Sequence, residues 1–228
     1  MHELDLVVFD LAGTTVEDRG QVPDAFTAAF AQHGIAVSAE QVKSVRGTSK
    51  REAVLRLIPA GPEQEQRAAA VYASFRAQLA ERYAREGVQP IAGTRQVFRL
   101  LREQGVRIAL NTGFDRDTTG LVLAALGWAE GAVDAVVCGD DVPRGRPAPF
   151  LIFRAMEATG VSSVHRIANV GDTASDLQAG YNAGVRWNIG VLSGAHERAT
   201  LESAPHTHLL SSVADLPNLW LAPAVTAG

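Results

Sequence analysis

The chain has 228 residues, 46% of them hydrophobic and 20% charged, and a formal net charge of −4. That suits one large soluble globular domain, or a domain with an insert, and leaves no basic footprint for nucleic acid. The one cysteine, Cys138, excludes an intrachain disulfide framework and fits a reducing, cytoplasmic setting. It follows Val136 and Val137 at a strand end and reads as a buried structural thiol.

In chain order, Met1 leads directly toward a strand without a charged-then-apolar leader. No apolar run approaches the roughly 18 residues of a membrane span. Leu6-Val7-Val8-Phe9 has the continuous apolar pattern of a strand buried on both faces. It stops at Asp10-Leu11-Ala12-Gly13-Thr14-Thr15. Asp10 thus falls at the carboxyl end of a central strand, where open α/β sheets form their ligand crevices. A carboxylate there can be a nucleophile, a metal ligand or both; taken alone, the stretch reads as a turn-capping Asp.

From residue 16 to 87 nothing reads as a strand. One helix opens at Pro23 and ends before Gly34. Ser38-Ala39-Glu40-Gln41 has the form of a capping box that starts a second. Ser49 starts a third with Ala53, Val54, Leu55, Leu57 and Ile58 as its apolar face, and a long helix spans about Glu63 to Arg85. After Gly87 strands alternate with helices. A helix is expected from Pro90 through Arg102 and strands over Val106–Leu110, Ala132–Cys138, Arg166–Val170, Trp187–Val191 and Thr207–Leu210. The tail from Ala222 to Gly228 is expected to fray. This alternation implies a doubly wound parallel α/β sheet, Rossmann-like, formed by residues 1–15 and 88–228. An all-helical cap, residues 16–87, is inserted after the first strand.

Four strand ends carry polar groups: Asp10; Thr112 and Gly113; Asp140, Asp141 and then Arg146; and Gly171-Asp172-Thr173 with Asp176. A parallel sheet gathers such ends on one edge. Asp10, Asp172 and Asp176 can hold Mg²⁺, a hard cation that takes oxygen ligands. Thr112 and Arg146 can grip phosphate oxygens, and Gly113 and Gly171 let backbone N–H groups approach an anion. Such a set suits phosphoryl transfer, with Asp10 as the nucleophile.

At these residues the chain resembles the haloacid dehalogenase superfamily: Phe9-Asp10-x-x-Gly13-Thr14, Thr112-Gly113, Arg146-Pro147 and Gly171-Asp172-Thr173-x-x-Asp176 match its four motifs. Within it the chain is similar to the phosphonatases (phosphonoacetaldehyde hydrolases), in Asp10 to Val16, Asp140 to Pro147 and Gly171 to Asp176. The resemblance implies Mg²⁺ held by Asp10, Asp172, Asp176 and the Ala12 carbonyl, and an aspartyl phosphate on Asp10. Phosphatases of the superfamily usually carry a general acid two residues after the nucleophile; this chain has Ala12, as phosphonatases do. The segment Gly47-Thr48-Ser49-Lys50 matches the phosphonatase cap loop, so Gly47 would contact substrate and Lys50 would form an imine with an aldehyde. The chain departs from the pattern at Ala53, where phosphonatases have His, and around Ser193–Glu197, which is shortened. His196 there reads as a solvated loop residue. Trp128, Trp187 and Trp220 read as packing residues, and His33, His165, His206 and His208 lack ligand spacing.

The implied function is C–P cleavage of phosphonoacetaldehyde or a related small phosphonate. Two alternatives remain open at this level: a phosphatase of a small organic ester, with Lys50 only a binding cation, and a non-catalytic phospho-ligand binder. The expected partner is a small phosphorylated or phosphonate molecule, with a homodimer left open because related caps dimerise.

Overall fold

The computed structural model describes residues 4–220; the tail Ala222–Gly228 lies outside them. At its centre is β1 (Leu6–Asp10), every residue of which is buried. The chain continues through α1 (Gln21–Gln32), α2 (Ala39–Ser44), α3 (Lys50–Leu57), α4 (Gln64–Glu86) and α5 (Thr94–Glu103). Then come β2 (Arg107–Asn111), α6 (Arg116–Leu126), β3 (Ala135–Val137), α7 (Phe150–Thr159), β4 (Ile167–Gly171) and α8 (Ala174–Ala183). Finally there are β5 (Trp187–Val191), α9 (Arg198–Glu202), β6 (His208–Leu210) and α10 (Leu216–Trp220).

The strands form one sheet in the order β3-β2-β1-β4-β5-β6, parallel at every pairing. Strand order reverses at β1, with β2 on one side and β4 on the other. Such a switch point leaves a crevice at the carboxyl ends. Asp10 pairs with Asn111, and Phe9 with Val170, so the ends of these three strands are level. Side chains of β1 alternate between two cores. Val7 and Phe9 join Phe98, Ile108 and Leu110 on one face. Leu6 and Val8 join Leu151, Ala155 and Ile167 on the other.

The helices between β1 and α5 cohere through aromatic packing. Phe26 of α1 meets Phe30 and the Phe75 ring of α4, with centroids 5.0 and 5.7 Å apart. Helix α4 buries Ala68, Val71, Phe75, Leu79 and Tyr83, one stripe at helical spacing. The two connections to the sheet run side by side: Glu17 N–H donates to the Gln89 carbonyl (2.9 Å) and Ile91 N–H to the Thr15 carbonyl (3.0 Å).

Two expected boundaries move for local reasons. The helix anticipated at Pro90 begins at Thr94, because Pro90 bridges to Val16 and Gly93 takes a left-handed conformation. The strand anticipated over Ala132–Cys138 pairs only over Ala135–Val137. Just before it, the Asp134 carboxylate accepts the Ile108 N–H (2.8 Å).

Candidate active site

The ends of β1, β2 and β4 and the loop after β3 bring together the residues expected there. Asp10, Thr112, Arg146, Asp172 and Asp176 are all buried. Arg146 occupies the middle. Its Nη2 donates to Asp10 Oδ1 (2.7 Å) and to the side-chain and main-chain oxygens of Asn111 (3.0 and 3.2 Å). Its Nη1 meets Asp176 Oδ1 at 2.5 Å and reaches the Gly47 carbonyl at 3.4 Å. The sequence expects Arg146 to grip phosphate oxygens; in the structure both of its terminal nitrogens engage protein. Here the guanidinium fixes the Asp10 carboxylate and compensates its charge.

Asp176, expected to hold the metal with Asp172, is bound by protein at both carboxylate oxygens. It is the third residue of α8 in a capping box: its Oδ2 accepts from the Thr173 N–H (3.0 Å) and hydroxyl (2.5 Å). With Oδ1 on Arg146, both oxygens have partners. The four-residue spacing from Asp172 thus follows from helix capping. Among the described residues, no three His, Cys, Asp or Glu side chains stand ready to hold a metal ion.

Asp10 and Asp172 nevertheless form a donor pair suited to a hard cation. Burial raises the Asp10 pKa to about 6, with Asp176 adding to the rise and Arg146 opposing it. Burial, and next the Asp10 charge, push Asp172 well above the usual carboxylate range. Two buried carboxylates that repel each other are what a divalent cation stabilises. Asp172 is held by the Thr14 hydroxyl (3.2 Å) and the Ala195 N–H (2.6 Å). A side chain at Gly13, where φ is +94°, or at Gly194 would collide with its carboxylate. The Ala12 carbonyl accepts no hydrogen bond among the described residues. Asp10, Asp172 and Ala12 therefore fit a Mg²⁺ ion.

Opposite this floor lies the loop before α3. Gly47, at φ +77°, packs so close to Thr173 that a Cβ would overlap the Thr173 hydroxyl. A Cβ at Gly113 would overlap the Thr48 carbonyl, and one at Gly145 would come within 2.9 Å of Ser49 Cβ. These contacts seat the loop on three core loops, where the Lys50 N–H donates to the Gly113 carbonyl (2.9 Å). The Glu52 carboxylate accepts the Gly145 N–H (3.0 Å) next to Arg146. Lys50 thereby lines the same cavity as Asp10, Ala12, Thr112, Arg146 and Asp172. Its Nζ has no hydrogen bond or ion pair among the described residues and lies 5.6 Å from the Phe114 ring centroid. Burial lowers the Lys50 pKa; Arg146 adds to that and Asp10 opposes it. The cavity measures about 660 Å³ with its open mouth.

A family model, haloacid dehalogenase-like hydrolase, matches residues 4–184. The chain belongs to the haloacid dehalogenase-like hydrolases. Phosphonoacetaldehyde hydrolase from Bacillus cereus is 30% identical over 220 residues, covering 88% of this chain and 80% of that protein. A phosphonoacetaldehyde hydrolase-like protein from Oleispira antarctica superposes with a TM-score of 0.84 at 25% identity, over 95% of this chain and 91% of the other. A hydrolase from Pseudomonas syringae gives 0.83 at 22% identity, over 94% and 96%. The chain is thus a phosphonatase-like hydrolase by family.

Of the other residues of this hydrolase, His196 falls out differently from expectation. His196 is buried, not solvated: its Nδ1 accepts the N–H of Ala174 at the start of α8 (3.0 Å). The segment at 193–197 turns it inward while the Ala195 N–H binds Asp172. Asp140 and Asp141 both bind Arg116, and Asp141 also accepts the Cys138 N–H. They thus hold the loop that follows Thr112. Cys138 is buried, and burial raises its thiol pKa to about 11. The sequence reading gave no role to Asn111, Glu52 or Thr14. Thr14 lies within a recognised motif and Asn111 adjoins one, but the Glu52–Gly145 contact spans 93 positions and leaves no local signal.

Proposed function

We propose that this hydrolase cleaves the C–P bond of a small phosphonate carrying a carbonyl, phosphonoacetaldehyde being the parent compound, by way of an aspartyl phosphate on Asp10. The observation that carries the reading is Lys50: an amine without an acidic partner, its pKa lowered by burial, in one cavity with the nucleophile. Ala12 supports it, because no acid stands two residues after Asp10 to protonate an alkoxide leaving group. Losing a general acid typically costs ~10²- to 10⁴-fold in rate, whereas a carbon leaving group can pass its electrons to an imine.

The neutral Lys50 amine adds to the carbonyl and expels water, and the protonated imine becomes an electron sink. Asp10 attacks phosphorus as the C–P bond breaks, and that electron pair moves into an enamine. A proton from water converts the enamine back to an imine, which hydrolyses to release acetaldehyde. Water then hydrolyses the aspartyl phosphate. Arg146 keeps Asp10 ionised and aimed, and the Thr112 hydroxyl faces the transferring group. Mg²⁺, held by Asp10, Asp172 and the Ala12 carbonyl, would neutralise charge on the phosphoryl oxygens.

Acetaldehyde and phosphate release from phosphonoacetaldehyde with Mg²⁺ tests this, together with borohydride trapping. We expect both products from wild type, a covalent adduct at Lys50, and loss of turnover in Lys50→Arg and Asp10→Asn. Phosphate release from esters alone, undiminished in Lys50→Arg, would leave Lys50 a binding cation and the chain a phosphatase. Tight ligand binding with no product from either substrate class would make it a phospho-ligand binder.

A further inference from the structure

The cavity has two unlike ends. Its floor carries charges and hydroxyls: Asp10, Asp172, Arg146, Thr112 and Thr173. Its roof, supplied by α1, α2 and α3 and their connections, carries Val22, Phe26, Val42, Val45 and Ala53, with Phe114 joining from the core side. All of these but Val22 are buried. Among the described residues, no hydroxyl or amide side chain reaches the cavity from the roof; both threonines that line it stand on the floor. Its other polar groups are Lys50, Arg46 and Asp18. Arg46 donates to the Ala195 carbonyl (3.0 Å), and Asp18 is exposed and accepts the Val22 N–H (3.1 Å). Both also line the adjoining mouth with Gly194 and Ala195.

We infer that the molecule bound here carries a hydrocarbon group on the end away from phosphorus: an alkyl or aryl ketophosphonate in place of the bare aldehyde. The inference rests on the reading that the phosphonate sits on the Asp10 floor. A two-carbon unit brings its carbonyl to Lys50 but leaves the Val22, Phe26 and Val42 wall facing water, and covering that wall is favourable. A polyol at the same place would leave its hydroxyls without partners, which lowers affinity at each one. Ala53 contributes to this shape: its small side chain is fully buried in the roof and leaves room beside Lys50.

Calorimetric binding of methyl-, propyl- and pentylphosphonate to the wild-type protein with Mg²⁺ tests it, since these ligands have no carbonyl and are not cleaved. We expect affinity to rise about fourfold per methylene. A pentylphosphonate with hydroxyls on carbons 3 and 4 should bind at least ~10-fold more weakly than its plain counterpart. Val22→Ser, at a half-buried position, should flatten the rise with chain length. Equal affinity along the series, tighter binding of the dihydroxy ligand, or an unchanged slope in Val22→Ser overturns the inference and leaves the phosphonate reading intact. Failure of every member to bind overturns both.

Discussion

Asp10 is a carboxylate buried at a strand end, and its chemistry depends on how its charge is compensated. Its folded pKa, about 6, lies above the ordinary 3.8, so the folded chain binds more protons than the unfolded chain between those values. The contribution of Asp10 to stability is therefore present at acidic pH and lost as pH rises through about 6. Asp172 shifts in the same direction. A cation must displace those protons. The rise in Tm caused by Mg²⁺ should thus be small near about pH 5 and grow through about pH 6 and above; scanning calorimetry at several pH values checks this, and a pH-independent increment would remove Asp10 and Asp172 as its seat. Arg146 is the other half of the balance. Arg146→Ala should lower stability by about 3–5 kcal/mol, the usual cost of breaking a buried pair from one side. Arg146→Lys should retain only part of that, because an ammonium cannot span Asp10, Asp176 and Asn111 as the guanidinium fork does. Urea unfolding of both variants measures the difference.

At the scale of elements, the decisive piece is the loop before α3. It is clamped by close contacts that leave no room for a Cβ at Gly47, Gly113 and Gly145. Gly113→Ala should displace Thr48 and with it Lys50. Overpacking of this kind costs about 1–3 kcal/mol in stability, and a misplacement of about 1 Å costs on the order of 10² in kcat/KM. Steady-state kinetics on whichever substrate proves active, set beside a thermal melt, separates the two effects. A near-wild-type kcat/KM in a folded Gly113→Ala protein would show that the loop tolerates displacement. Motif spacing made Gly113 legible as part of a Thr-Gly strand end, though for another reason: anion approach, not the seating of a distant loop. The Asp172–Asp176 spacing was legible as a pair of acids, but their division of labour was not. Both are carboxylates in sequence, and only the capping of α8 turns Asp176 away toward Thr173 and Arg146.

Across the whole molecule, Asp115 joins the helical insert to the sheet. It caps α6 through the Thr118 N–H (2.8 Å), accepts from the Tyr72 hydroxyl (2.8 Å) and pairs with Arg76 (2.9 Å), so one carboxylate ties α4 to the segment after β2. Its neighbour Asp117 also meets Arg76, but is largely exposed. Asp115→Ala should cost about 1–2 kcal/mol from the cap alone, a fall in Tm of roughly 2–4 °C per kcal/mol at this chain length. Asp117→Ala should stay within about 0.5 kcal/mol, since exposed ion pairs contribute little. Parallel thermal melts of the two variants test the contrast, and equal losses would contradict it.

The sequence by itself determined the architecture. An uninterrupted apolar run must be a strand covered on both faces. Strand–helix alternation must give a parallel sheet, and polar residues at strand ends must gather on its carboxyl edge. These are local patterns repeated along the chain, so Asp10, Thr112, Arg146 and Asp172 could be named from them. Tertiary structure alone decided what those groups do to one another. That Arg146 binds protein at both terminal nitrogens, that His196 points inward, and that Glu52 reaches Gly145 all depend on segments far apart in the chain. It also decided that the roof over Lys50 is apolar, because Val22, Phe26, Val42 and Ala53 come from three helices whose buried faces meet only after packing. Burial and charge compensation are properties of that packing, and no window of sequence contains them.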